Sequence, residues 1–124
     1  GNNLSFSIKN NDTLSMIIKD ENNIIEFQIG REVISNPESF CQSFQKKIGE
    51  SDVILDCLKL SYLDECGDAL SLILNSLKTE NQSFVFVASP EQFNSLSELL
   101  IVVPTIKEAY DFIEFDRIQR DLGF

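Results

Sequence analysis

The side chains best suited to chemistry in this 124-residue chain stand close together in one segment. Asp64, Glu65 and Asp68 bring three carboxylates within five positions, and the Cys66 thiol lies among them. Carboxylates can act as acids, bases or metal ligands, and a thiol can act as a nucleophile. The chain contains no histidine, which removes every Ser-His, Cys-His and His-metal arrangement. We therefore predict no enzymatic activity and no cofactor.

A metal site is not expected at this acidic cluster. Asp64, Glu65 and Asp68 lack further ligands at a recognised spacing, and the segment does not match the calcium-loop pattern. Asp64 is instead predicted as the N-cap of the following helix, because its carboxylate can accept hydrogen bonds from free N–H groups of the first turn. The cluster thus predicts a helix start with an acidic surface.

The overall charge narrows the choice of partners. Asp and Glu number 20 against 10 Lys and Arg, a formal net charge of −10. This balance disfavours nucleic acid and anionic lipid, which both select basic surfaces. The longest apolar runs, at 84–88 and 99–103, have five residues and are too short to cross a membrane. The apolar content of 43 % is typical of a globular domain.

The three cysteines predict reduced thiols rather than a disulfide framework, since their number is odd and no C-x-x-C occurs. Reduced thiols are typical of a cytoplasmic protein. Cys41 and Cys57 fall on apolar faces and are predicted to lie in the core. Cys66 stands at a predicted helix start, where a thiol pKa tends to fall. Its role is either redox sensing or that of a small, partly buried residue.

The elements that must position this segment follow from the apolar pattern. Apolar runs predict strands at 4–8, 14–18, 24–29, 53–55, 84–88 and 101–103. Capping signals predict helix starts at 35–38, 64, 89–92 and 105–108. This order predicts one α/β domain over residues 2–124, with a mixed sheet whose later strands are parallel and about four helices. We interpret Gly1 as a tag remnant.

The last predicted helix carries two apolar stripes. The first consists of Ile106, Ala109, Tyr110 and Ile113. The second consists of Phe112, Phe115, Ile118 and Leu122, and is rotated away from the first. One straight helix cannot easily bury both stripes on one side. We expect a kinked helix that buries the second stripe within the chain, the alternative being contact with a partner or a second copy in a homodimer.

Two consecutive segments resemble a known family. The sequence V-I-L-D at 53–56, followed by L-S-Y-L-D-E-C-G at 60–67, resembles the core of STAS domains, the fold of bacterial anti-sigma factor antagonists. That core reads V-I-L-D and then L-S-[FY]-[LM]-D-S-[ST]-G. The segments at 27–32, 84–90 and 105–109 also resemble family features, in the same order. The resemblance covers residues 24–118.

The resemblance implies a regulatory module of transcription that works by protein–protein interaction. Its partner would be an anti-sigma factor that is also a serine kinase and phosphorylates the serine after the family aspartate. Here that position is Glu65, which cannot accept a stable phosphate ester. The implied partner-binding residues are Ser61, Asp64, Glu65, Cys66, Gly67 and Asp68.

The departure at Glu65 leaves three interpretations open. Glu65 is a favourable acidic residue in a helix first turn, worth about 0.3–1 kcal/mol, or a permanent mimic of the phosphorylated form. In the third interpretation the acceptor has moved to Ser61, Tyr62 or Ser71. The alternative function is a phosphorylation-independent adaptor or a small-ligand domain of a larger signalling complex, which a cavity among the phenylalanines would support.

Overall fold

The structure is a computed structural model that describes residues 16–60, 66–96 and 98–123, with only the backbone for 93–95. The predicted strand at 4–8 lies outside the described residues. The elements are β1 (Ile17–Glu21), β2 (Ile24–Gln28), α1 (Arg31–Ser35), α2 (Pro37–Ile48), β3 (Asp52–Asp56), α3 (Gly67–Leu77), β4 (Phe84–Val87), a 3₁₀ helix (Pro90–Ser95), β5 (Ile101–Val103) and α4 (Ile106–Asp121).

The five described strands form one mixed sheet, which confirms the predicted α/β class. Their order is β1-β2-β3-β4-β5; the first pair is antiparallel and the other three are parallel. Strands β3 and β4 are buried along their whole length, as expected for strands covered on both faces. The described residues form four α-helices, as predicted in number. Helices α2 and α4 begin where the capping signals predicted, whereas α1 was not predicted and a 3₁₀ helix stands where the third start was expected.

The two faces of the sheet are covered unequally. Helices α1, α2 and α3 pack on one face over a large core that includes Phe27, Leu55 and Phe86. Helix α4 packs on the other face, where Ala109 and Ile113 meet Ile54. Among the described residues, one helix therefore covers the second face.

The first hairpin is displaced from its predicted position. Strand β1 ends at Glu21, whereas the sequence predicted a strand at 14–18 and a turn over 20–23. The turn is made by Asn22 and Asn23 alone, with φ angles of 55° and 60°. Asparagine tolerates this left-handed conformation, and a two-residue turn of this kind matches the twist of paired strands.

The predicted helix boundaries were partly wrong. The sequence missed α1. The N-cap of α2 is Asn36, within the predicted start at 35–38, and its Oδ1 accepts from the Ser39 N–H at 3.2 Å. Gly49 ends α2 at φ +49°, as predicted. Only the six-residue 3₁₀ helix forms in place of the helix expected after residue 89. No helix in the described ranges is long and apolar enough to cross a membrane.

Candidate functional site

The carboxyl end of β3 leads into the segment that carries the resemblance. Asp56, the last residue of β3, is buried, and its Oδ1 accepts the Leu58 N–H at 3.0 Å. The Leu60 carbonyl accepts from the Gln92 side-chain amide at 3.0 Å, which ties this point to the 3₁₀ helix. The described chain is thus anchored immediately before residue 61.

Helix α3 begins later than the sequence predicted. Its N-cap is Cys66, and the Cys66 carbonyl accepts the Leu70 N–H at 2.9 Å. The prediction that Asp64 caps this helix is therefore wrong. The Cys66 side chain makes no capping hydrogen bond. Asp68 is exposed in the first turn, where its negative charge interacts favourably with the positive end of the helix dipole.

Two thiols lie together beneath this helix start. Cys57 and Cys66 are completely buried. Burial raises the pKa of the Cys57 thiol, and the nearby Asp56 and Cys66 raise it further. A redox-sensing thiol requires access and thiolate character, so the burial of Cys66 favours its interpretation as a small packing residue. Cys41 is buried as well, so the predicted core positions of Cys41 and Cys57 are confirmed.

The six predicted partner-binding residues divide into two groups. Ser61, Asp64 and Glu65 lie outside the described residues, as does Tyr62. Of the other three, Cys66 is buried, Gly67 is half-buried and Asp68 is exposed. Asp68 is therefore the described member that offers a side chain to a partner. Where the structure describes the chain, no group of three or more His, Cys, Asp or Glu could hold a metal ion.

The sequence missed a charged cluster at the opposite end of β3. Asp52, 3 % exposed, accepts from Arg117 Nε at 2.6 Å and from Arg120 Nη2 at 3.1 Å. Its Oδ1 also accepts the Ser83 N–H at 2.7 Å. Two guanidinium groups and one amide thus satisfy a buried carboxylate, as burial of a charge requires.

The same two arginines reach the loops around this end of the sheet. Arg117 Nη2 donates to the carbonyls of Asn22 and Asn23 at 3.0 Å each, and Arg120 Nη1 donates to the Asn81 carbonyl. The Ser83 hydroxyl donates to Asp116 at 2.5 Å. The cluster therefore fastens the end of α4 to the β1–β2 turn and to the start of β4.

One signal in the sequence could have revealed this cluster. The inner stripe of α4 runs through Ala109 and Ile113, and its next positions, at helical spacing, are 116, 117 and 120. All three are charged. A buried stripe that turns charged predicts a buried counter-charge on the element it faces, and Asp52 at the start of a buried strand is that group.

A second polar contact lies nearer the start of the same helix. The Tyr110 hydroxyl donates to Glu26 Oε1 at 2.8 Å, and Glu26 is buried on β2. Lys19 Nζ lies 5.5 Å from the centre of the Tyr110 ring. Burial and then the hydrogen bond to Glu26 raise the pKa of Tyr110. Tyr110 thus connects α4 to the antiparallel edge of the sheet.

The second apolar stripe of α4 is not buried as expected. Phe112 packs against the core, but Phe115, Ile118 and Leu122 are exposed to 59 %, 53 % and 65 %. The helix continues unbroken from Ile106 to Asp121, and Arg117 and Arg120 occupy its inner side. The expected burial is therefore wrong for these three side chains.

Five phenylalanines of the large core pack where a ligand cavity was considered. The rings of Phe27, Phe40 and Phe44 pack with centroid distances of 4.8–5.2 Å, and Phe84 and Phe86 lie 6.1 Å apart. These distances are typical of directly packed aromatic pairs. The aromatic core thus gives no support to a small-ligand function.

Comparison with known proteins adds no assignment. No protein-family model, curated protein or solved structure matches this chain.

Proposed function

We propose that this chain is a cytoplasmic regulatory module of the STAS type, which acts like an anti-sigma factor antagonist by binding an anti-sigma factor that is also a serine kinase. Glu65 stands at the position of the phosphoacceptor serine, so the chain is not phosphorylated there. It is not an enzyme. The function depends on an interaction surface around Asp64, Glu65 and Asp68.

One structural observation supports this proposal most directly. The V-I-L-D segment forms the central buried strand β3, and α3 begins at Gly67, the last position of the second resembling segment. Residues 57–66, which include Glu65, therefore connect the carboxyl end of a parallel strand to a helix. Ligands of open parallel α/β sheets bind outside the carboxyl ends of the strands, and we propose that a protein partner uses the same end here.

Electrostatics explains how a charge at this connection could control a partner. Peptide N–H groups and the helix dipole make the start of α3 favourable for negative charge. A phosphate adds about −1.5 to −2 charge, and Glu65 supplies one carboxylate permanently. We propose that Glu65 weakens binding to the kinase in the way that a phosphate would.

The test compares the wild type with Glu65→Ser and Glu65→Ala in pull-downs from the source organism, followed by titration of the purified captured kinase. The proposal predicts capture of a serine kinase and tighter binding by both variants, because both remove the charge. Only Glu65→Ser should gain one phosphate with that kinase and ATP, as measured by intact mass.

Glu80→Ser provides the matched control, since Glu80 is exposed in the turn between α3 and β4, away from the proposed surface. It should bind the kinase like the wild type and gain no phosphate. Equal affinity of the wild type, Glu65→Ser and Glu65→Ala would contradict the phosphate-mimic role. The capture of no kinase by any of these proteins would contradict the proposed class.

A further inference from the structure

The outer side of α4 presents an unusual apolar surface. Phe115, Ile118 and Leu122 are each more than half exposed. Their spacing of three, four and seven residues places them side by side on one face of the helix. Arg117 and Arg120 point inward to Asp52 at the same level. The second half of α4 is therefore charged towards the sheet and apolar towards solvent, the reverse of an ordinary surface helix.

This apolar face continues to the edge of the sheet. Phe112 lies one turn before Phe115 and lines a cleft of about 230 Å³ together with Leu99 and Ile101. Ile101 belongs to the edge strand β5 and is 42 % exposed. We name the six residues Leu99, Ile101, Phe112, Phe115, Ile118 and Leu122 the α4–β5 surface. Five of the six are exposed and Phe112 is half-buried. Clusters of exposed apolar residues mark interaction sites.

The charges around this surface indicate what could cover it. Four exposed carboxylates lie on α4 beside the apolar residues, at Glu108, Asp111, Glu114 and Asp121. Lys107 is the one exposed lysine of α4, and it pairs with Asp111 at 2.8 Å. The two arginines of the helix are engaged with Asp52. The rim formed by α4 is therefore acidic, and the cleft beside it is lined by one basic residue, Lys78.

We propose that the α4–β5 surface docks an apolar segment of another protein whose flanks are basic. Apolar side chains of that segment cover Phe115 and its neighbours, and lysines or arginines pair with the acidic rim. A second copy of this chain fits less well, because a two-fold interface would place the acidic rim against itself. None of the six residues of this surface belongs to the segment that carries Glu65, so the proposed role does not depend on the state of Glu65.

A designed peptide can test this proposal. The probe is an 18-residue helical peptide with leucines at i, i+3, i+4 and i+7 and lysines or arginines elsewhere. Its control has glutamate in place of every basic residue. Titration into ¹⁵N-labelled full-length chain should shift the amide resonances of residues 99–101 and 112–122 with the basic peptide. The acidic peptide should bind at least about tenfold more weakly.

Phe115→Asp should weaken the binding of the basic peptide by about tenfold or more, since a central aromatic anchor dominates such contacts. Ile18→Asp is the matched control, because Ile18 is exposed to 50 % on β1, far along the sheet from β5. It should leave the affinity unchanged, and Glu65→Ser should also leave it unchanged. Circular dichroism checks that both aspartate variants are folded.

Three results would overturn the proposal. The first is equal binding of the acidic and basic peptides, which would remove the role of the rim. The second is an affinity unaffected by Phe115→Asp. The third is a dimer in sedimentation equilibrium that Phe115→Asp dissociates, since the occupant would then be a second copy. None of these results bears on whether Glu65 controls binding to a kinase.

Discussion

The two ends of β3 carry buried aspartates with opposite kinds of partners. Asp52, at the amino end, is held by two arginines from α4, 65 and 68 residues away in sequence. Asp56, at the carboxyl end, accepts the N–H of Leu58, two residues away. Among the described residues Asp56 makes no ion pair of 4 Å or less. One end is locked by long-range charge pairing and the other by a local turn.

This difference matches the roles proposed for the two ends. A carboxylate with two guanidinium partners couples sheet, turn and helix into one unit, and moving it would leave buried charge without compensation. Among the described residues, the carboxyl end carries no such constraint. A change in the conformation of the connection after β3 would therefore break no buried ion pair of the described residues. The amino end is thus fixed by charge pairing, whereas the proposed interaction surface lies at the carboxyl end.

The largest expected effect comes from Asp52→Ala. This change leaves Arg117 and Arg120 partly buried without their carboxylate and also removes the acceptor of the Ser83 N–H. We expect the free energy of unfolding to fall by about 3 kcal/mol. Urea denaturation followed by circular dichroism measures this loss as a lower midpoint with an unchanged slope.

Asp20→Ala is the control for this change, because Asp20 pairs with Lys47 at 3.0 Å on the surface with both side chains about half exposed. Exposed pairs of this kind are worth about 0–1 kcal/mol. A loss at Asp52 no greater than the loss at Asp20 would show that the buried cluster does not stabilise the fold.

The next largest effect is expected for Tyr110→Phe. The change removes the hydrogen bond to Glu26 and leaves a buried carboxylate with one partner fewer. Hydrogen bonds to charged groups contribute about 1.5 kcal/mol or more, so we expect a loss of that size at neutral pH. Phe112→Leu changes a ring on the same helix and removes no polar contact of the described residues. Comparing the two losses in the free energy of unfolding therefore separates the hydrogen bond from ring packing.

The Tyr110 contact also predicts a pH dependence. The pKa of Tyr110 is raised in the folded state, so folding favours the protonated phenol. Its contribution to stability is fully present below the unfolded pKa of about 10 and is lost as the pH rises above it. The stability difference between the wild type and Tyr110→Phe should therefore shrink above that pH, and a constant difference would contradict the assignment.

Asp56→Ala should cost less than either change. It removes one hydrogen-bond acceptor from a local turn, a loss of about 1 kcal/mol. Among the described residues, it leaves no buried cation without its carboxylate. Urea denaturation in the same buffer as Asp52→Ala gives the direct comparison. If Asp56→Ala destabilised the chain as much as Asp52→Ala, the distinction between an end held by long-range ion pairs and an end held by a local turn would be wrong.

The sequence predicted the central fold well because its signals there are local. Continuous apolar runs identified β3, β4 and β5, and Gly49 and Thr105 marked helix ends through their own backbone and side-chain chemistry. The hairpin was misplaced because its register depends on which two residues of 20–23 take the left-handed conformation. Helix α1 was missed because it has five residues and no side-chain cap.

The sites were harder to predict because their partners are distant in sequence. The Asp52 cluster joins residues from β3, β4 and α4, and no spacing rule connects position 52 to position 120. The predicted carboxyl-end surface rests on a resemblance and on short-range capping rules. One of those rules failed at Asp64, because a capping residue is fixed only when the first helical turn is known.

The smallest change in the free energy of unfolding is expected on the outer side of α4. Phe115→Asp changes an exposed side chain, so we expect the free energy of unfolding to stay within about 0.5 kcal/mol of the wild type. Arg120→Ala, five residues further along the same helix, removes a partner of buried Asp52 and should cost several times more. Urea denaturation of the two variants compares the sides directly. A large loss at Phe115 would mean that this face is covered within the chain, and the α4–β5 surface would then not be free for a partner.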